Sequence, residues 1–136
     1  MPLVLEIVTP DARVYSETIE TVVLPTTTGE VGILPGHIPL LTEIEEGELR
    51  VTKDGVTHNL AVGRGFAEVS GDKVAVLTES AIEAEKIDVA AVEEALRKAK
   101  ERLASTEKIS PEELDRLETL TRFANAQLLV KRRKGS

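Results

Sequence analysis

At 136 residues and 14.8 kDa the chain has room for one ordinary domain, or for a small domain with an appendage. Zero cysteines exclude a disulfide framework, a thiolate zinc site and a cysteine nucleophile, and two histidines, His37 and His58, leave no basis for a metal centre. A net charge of −7 and a three-member aromatic set of Tyr15, Phe66 and Phe123 argue against nucleic acid as a partner.

Met1 to Val8 reads as a strand, with no basic segment or cleavage site of the kind a signal peptide carries. Short β-branched runs then recur between Gly and Pro turn signals: Leu3 to Val8, Thr18 to Leu24, Val31 to Leu34, Leu40 to Ile44, Glu48 to Lys53, Val56 to Val62, Phe66 to Ser70 and Lys73 to Thr78. Several alternate with period two, as Leu49 and Val51 do against Glu48 and Arg50, so each buries one face and wets the other. Lys53-Asp54-Gly55 and Ser70-Gly71-Asp72 supply hairpin turns. The pattern predicts a β-sandwich or flattened barrel of eight to ten short strands.

After Thr78 the composition shifts to Ala, Glu, Lys, Arg and Leu, and the charge shifts with it. Residues 1 to 78 carry 12 acidic and 5 basic side chains, whereas residues 79 to 136 carry 12 of each. Ala91, Ala95, Ala99 and Leu103 recur every four residues beside Val92 and Leu96, which predicts a helix with a small-residue packing face. Ser110-Pro111-Glu112-Glu113 opens a second helix, with Ser110 as N-cap, Pro111 at the first position and Glu113 capping back. Leu114, Leu117, Leu120, Ala124, Leu128 and Val130 form its apolar side, and Ala104 to Ile109 makes a loop short enough for an antiparallel hairpin. From Thr119 onward the charges are all basic: Arg122, Lys131, Arg132, Arg133 and Lys134. Such a run suits a helix C-terminus, and equally a docking end for an acidic protein surface. No segment approaches the roughly 20 apolar residues of a membrane helix.

The stretch Val22-Val23-Leu24-Pro25, through Gly29-Glu30-Val31-Gly32-Ile33-Leu34-Pro35-Gly36-His37-Ile38-Pro39-Leu40-Leu41-Thr42, resembles the epsilon subunit of rotary F-type ATP synthases of bacterial type. Gly47-Glu48-Leu49-Arg50, Gly63-Arg64-Gly65-Phe66-Ala67-Glu68-Val69, Lys73-Val74-Ala75-Val76-Leu77-Thr78 and Ile87-Asp88 follow in the family's order and extend the likeness over nearly the whole chain. The resemblance implies a ten-stranded N-terminal β-sandwich, residues 1–84, and an antiparallel C-terminal helical hairpin, residues 85–136. It implies a non-catalytic rotor subunit whose sandwich binds the gamma subunit and the c-subunit ring, coupling proton-driven rotation to ATP synthesis. Glu30, Gly36, His37 and Ile38 match the loop that faces the c ring. Gly36 is also what a tight turn demands, and His37 without a local acid or cation reads as a hydrogen-bonding loop residue rather than a base. In regulatory members the hairpin leaves the sandwich and reaches the alpha and beta catalytic subunits, inhibiting ATP hydrolysis. Arg116, Arg122, Lys131, Arg132 and Arg133 match the docking residues.

The resemblance implies no required cofactor and no metal. Some relatives bind ATP on the hairpin through Ile or Leu, Asp, two variable residues, Arg and Ala. Here Ile87 and Asp88 fit, with Arg122 a further possible contact, but Ala91 stands at the Arg position and Val92 at the Ala position. Losing that guanidinium removes a contact of about 1.5–3 kcal/mol, so ATP binding is expected to be weak or absent, with Asp88 serving as a helix cap. Pattern alone would equally fit a β-sandwich adaptor with a helical interaction tail in another assembly. A hydrolase built on Glu43, Glu45 and Glu46 is disfavoured, because these acids alternate with Ile44 near a turn and read as a solvated edge. The expected location is peripheral, on the cytoplasmic side of a bacterial plasma membrane, with the stromal side of a plastid thylakoid as the alternative. Direct membrane insertion is not expected.

Overall fold

In the computed structural model, residues 3–37, 39–105 and 107–135 are described, and within them ten strands precede two helices. The strands are β1 (Leu3–Val8), β2 (Arg13–Ile19), β3 (Thr21–Thr26), β4 (Gly29–Ile33), β5 (Leu40–Ile44), β6 (Gly47–Lys53), β7 (Val56–Val62), β8 (Gly65–Ser70), β9 (Lys73–Thr78) and β10 (Ala81–Glu83). A 3₁₀ turn (Ala84–Lys86) leads to helices α1 (Val89–Leu103) and α2 (Pro111–Gly135).

The strands run β10-β7-β6-β3-β5-β8-β9-β1-β2, with β4 beside β3. Pairing is antiparallel apart from β1 with β9. Strands β3 and β5 meet only at Thr26 and Ile44, so the sheet folds there into two layers. The far edge nearly closes the barrel: Glu20 N–H donates to the Thr52 carbonyl at 2.8 Å, and Lys53 pairs with Glu17. Between the layers lie Leu3, Leu5, Ile7, Val22, Leu24, Ile33, Leu49, Val51, Leu60, Val74 and Val76, all fully buried. Each such side chain stabilises the fold by about 1.5–3 kcal/mol. Asp54 (φ 52°) and Gly55 (φ 74°) both adopt the left-handed conformation that a two-residue hairpin loop between β6 and β7 requires.

Two strands depart from the sequence expectation. Thr18 to Leu24 is not one strand but the end of β2 and most of β3, broken at Glu20, and β2 begins at Arg13. Strand β2 is an edge whose residues are mostly exposed, so Arg13-Val14-Tyr15-Ser16-Glu17 lacks the apolar density that marks interior strands. Strand β10 is three residues long and held by its pairing with β7.

The helices begin where the capping residues stand. Asp88 accepts the Ala91 N–H at 3.1 Å and Ser110 accepts that of Glu113 at 3.1 Å. The Glu113 carboxylate takes a different partner from the one expected. It accepts from Nε and Nη2 of Arg102 in α1, at 3.0 and 2.8 Å, and so clamps the hairpin across its loop. That contact holds the Glu113 carboxyl below the ordinary glutamate range. A depressed folded pKa means a stabilising contribution that is present above about pH 4.5 and lost as the pH falls through the lower folded value. Exchange protection over residues 103–105 and 107–113, after allowance for the slower intrinsic exchange in acid, should therefore fall on acidification below about pH 4.5 in the native chain, and Glu113→Gln should abolish that step.

The packing face of α1 is rotated from the predicted alanine stripe. Ala91 and Ala95 are exposed, and the buried line is Val92, Leu96 and Ala99. Val92 and Leu96 join Ala124, Ala126 and Val130 of α2, with Ile87, Ala84 and Ala61, in a second apolar cluster flanked by Ile82, Phe123 and Leu128. Larger side chains beside the alanines offer more area to bury, and they decide the rotation. Ala61 lies on β7 opposite Glu48 of β6 and Ile82 of β10, so α2 covers the outward face of this half of the sandwich.

Candidate functional site

Burying an outward-facing sheet surface under a helix buries whatever polar residues alternate onto it. On β6 that residue is Glu48, whose side chain is 4 % exposed. Its Oε1 accepts Arg133 of α2 at 2.6 Å and Arg50 at 3.2 Å, and its Oε2 accepts the Asn59 amide at 2.8 Å. Glu46, in the turn before β6, has a side chain 8 % exposed and pairs with Arg122 of α2 and with Arg64, each at 3.2 Å. Arg64 also donates to Thr119 of α2 at 3.0 Å, and Lys131 donates to the Ala84 carbonyl at 3.0 Å. Two nearly buried acids of the sandwich thus receive arginines from two points along α2.

Of the basic residues singled out in the sequence, Arg122, Lys131 and Arg133 hold the hairpin against the sandwich. Arg116 and Arg132 are exposed, and the Lys134 side chain lies outside the described residues. Glu43 and Glu45 are exposed as expected, but Glu46 is no solvated edge residue; α2 covers it. Glu46, Glu48, Arg50 and Arg64 carry no local signal of this role. Alternation in Gly47-Glu48-Leu49-Arg50 places Glu48 outward, and the helix that covers it lies far along the chain.

Glu30, on β4, is exposed and bound by both arms of Arg50 at 2.7 and 3.2 Å. These hydrogen bonds and the charge of Arg50 hold the Glu30 carboxyl below its ordinary range, against the opposing effect of burial. Gly36 adopts φ 83°, so a side chain there would be strained whatever the space, and His37 N–H donates to the Leu34 carbonyl at 3.1 Å. Ile38 lies outside the described residues.

The nucleotide candidates are not gathered. Ile87 is buried in the second apolar cluster, Asp88 caps α1, and Arg122 turns to Glu46. A groove of about 430 Å³ does run between the helices, lined by Ala91, Ala95, Arg116, Leu120, Phe123 and Gln127 among others, on a side that neither Asp88 nor Arg122 lines. Among the described residues no group of acids and histidines is placed to hold a metal ion.

A further surface escaped the sequence reading. Across β5, β8, β9 and β1 the outward row is Glu43, Phe66, Leu77 and Val8, and the next is Leu41, Glu68, Ala75 and Glu6. Leu41 (70 %), Leu77 (58 %) and Phe66 (53 %) are exposed together there. Apolar residues clustered on an uncovered sheet face mark an interaction surface. The face continues into a large open cleft, about 1340 Å³, which Leu129 of α2 closes on one side. Among the described residues no helix is long and apolar enough to cross a membrane.

Solved structures share this architecture. A chain of the mitochondrial ATP synthase OSCP/F1/c-ring assembly of Euglena gracilis superposes with a TM-score of 0.74 over 94 % of this chain and 80 % of that one, at 22 % identity. A chain of the central stalk and c ring of the Tetrahymena thermophila mitochondrial enzyme does so with a TM-score of 0.61 over 96 % and 97 %, at 10 % identity. At these identities the likeness is one of fold. In sequence, the ATP synthase epsilon chain of Pelotomaculum thermopropionicum is 49 % identical over 100 residues, 74 % of this chain and 75 % of that one. That of Prochlorococcus marinus is 40 % identical over 124 residues, 90 % and 92 % of the two chains. The family model of the ATP synthase delta/epsilon chain β-sandwich domain matches residues 2–84, and with these relatives it shows that the chain belongs to the ATP synthase epsilon-chain family, a non-catalytic subunit of that complex.

Proposed function

We propose that the chain works as a central-stalk subunit that turns with the rotor, residues 1–84 providing the attachment and residues 85–136 a movable regulatory arm. The apolar outward face of Leu41, Phe66 and Leu77 is the seat for the gamma subunit, since covering it removes an exposed patch that a free chain leaves in water. Glu30, Gly36 and His37 lie on the c-ring side. Such a subunit sits peripherally at the bacterial plasma membrane, on its cytoplasmic face. The catalytic alpha and beta subunits are partners when the arm extends.

One observation carries the regulatory part. Arg122 and Arg133, the cations suited to an acidic surface on the catalytic subunits, are already committed to Glu46 and Glu48. A cation cannot serve both places, so the docked hairpin and the extended one compete for the same groups, and the sandwich acids set the balance. ATP has no assigned place in this balance, because Ala91 offers no guanidinium and Arg122 faces Glu46.

The test adds the chain to a catalytic head of alpha, beta and gamma subunits that lacks it. Binding is expected, together with slower ATP hydrolysis. Cysteines replacing Ser80 of the sandwich and Gln127 of α2, which both line the groove between the helices, can be joined by a short bismaleimide because the chain has no cysteine of its own. The cross-linked chain should still bind while losing its inhibition. Undiminished inhibition would remove the movable-arm reading, and failure to bind gamma would favour an adaptor in another assembly.

A further inference from the structure

Arg50 stands between two acids that belong to different functional surfaces. Its guanidinium grips Glu30, whose side chain is 57 % exposed, and reaches Glu48 Oε1 at 3.2 Å. Arg133 shares that same oxygen at 2.6 Å. The four groups alternate in sign from the sheet surface to the last turns of α2, and their charges sum to zero.

We propose that Glu30, Arg50, Glu48 and Arg133 form a charge relay, through which neutralising Glu30 from outside by a cationic partner loosens the C-terminal turn of α2 from the sandwich. The inference rests on the reading that the Glu30 surface meets another rotor component. Two arginines on one carboxylate oxygen repel each other, and Glu30 offsets that repulsion by drawing both arms of Arg50 toward itself. When an external cation takes Glu30, the full charge of Arg50 falls on Glu48, and Arg133 loses its share of the acceptor. Arg133 is also among the charges that hold the Glu30 carboxyl low, so the two ends of the relay sense each other. The element being biased is local. Arg122 on Glu46, the buried Val130 and Lys131 on the Ala84 carbonyl anchor α2 further up, so release is confined to the end of the helix beyond Lys131. The relay would thereby link engagement of the rotor surface to freeing of the arm, by charge redistribution rather than by a hinge.

The signs make the test sharp. Glu30→Gln leaves the cluster one charge too positive, and amide exchange over residues 132–135 of the full chain should accelerate by about two- to fivefold. Arg50→Gln leaves it one charge too negative with Arg133 as the remaining cation, and exchange there should be unchanged or slower. The double variant is again balanced and should return to the native rate, so the two substitutions are strongly non-additive. Unchanged exchange of the core strands β1 and β9 verifies that each variant is folded. Native-like tail exchange in Glu30→Gln, or additive effects in the double variant, would overturn the relay. A cross-link from Glu30→Cys to the c ring in the assembled complex tests the partner separately. If that cross-link fails while the cycle holds, the relay stands and the c-ring assignment falls.

Discussion

Gly65→Ala is expected to lower the unfolding free energy by about 3 kcal/mol or more, which for a chain of this size moves the thermal midpoint down by roughly 10 °C. A Cβ at this position would collide with the Leu77 carbonyl oxygen and would stand 2.7 Å from the Thr78 Cα and 2.8 Å from the Leu77 carbonyl carbon. All three are backbone atoms of β9, the strand paired with Gly65, so no side chain can swing aside. The backbone itself is pinned. The Thr78 hydroxyl, buried, lies 2.7 Å from the Gly63 carbonyl and 3.1 Å from those of Arg64 and Ser80, and relaxing the collision would disturb this arrangement. Arg64, the neighbour of Gly65, is also one of the two arginines on Glu46, so the damage should reach the hairpin. Gly32→Ala is the control: a Cβ there meets nothing within 4 Å, and its effect should stay within about 0.5 kcal/mol. Denaturant unfolding of both variants decides the matter, and equal midpoints would contradict it.

The double substitution Glu46→Gln with Glu48→Gln should act on regulation rather than on the core. Each removes a charged acceptor from an arginine of α2, and since those arginines are about half exposed, each contact is worth roughly 1–2 kcal/mol, less than a fully buried pair. Together they would move the balance between docked and extended hairpin by one to three decades. The β-strands keep their pairing, so the sandwich should bind gamma as before. Inhibition of ATP hydrolysis by the full chain should become stronger, saturating at lower concentration, because the basic residues of α2 are no longer held back. Weaker inhibition would mean that Glu46 and Glu48 position the arm for the catalytic subunits instead of restraining it. Raising the salt concentration should blunt the difference between variant and native chain.

Much of the fold can be read locally. Period-two alternation in Leu49-Arg50-Val51 separates the buried from the outward face of β6, Asp54-Gly55 turns the chain into β7, and Asp88 and Ser110 mark where the helices start, all from interactions within a few residues. Local signals were weaker where burial is partial. The edge strand β2 exposes most of its side chains, and the three residues of β10 are strand because β7 is beside them. The alanine stripe of α1 misled for a related reason: which face of a helix is buried depends on the volume of what it meets, and here Val92 and Leu96 fill the space that Ala91 and Ala95 would leave empty.

The candidate site divides in the same way. From the ordered motifs around Gly29 to Thr42 and Gly63 to Val69, the sequence by itself determined the family, the sandwich followed by a hairpin, and the basic character of the second helix. The tertiary structure decided what those basic residues do in the docked chain, because Arg122 and Glu46, or Arg133 and Glu48, are separated by most of a domain in sequence and by one hydrogen bond in space. It also decided that Leu41, Phe66 and Leu77 form a single surface, since cross-strand register and not spacing along the chain brings them together. Periodicity reports how a segment divides inside from outside; what comes to lie on the outside is set by elements folded over it from far away, and no local pattern encodes that.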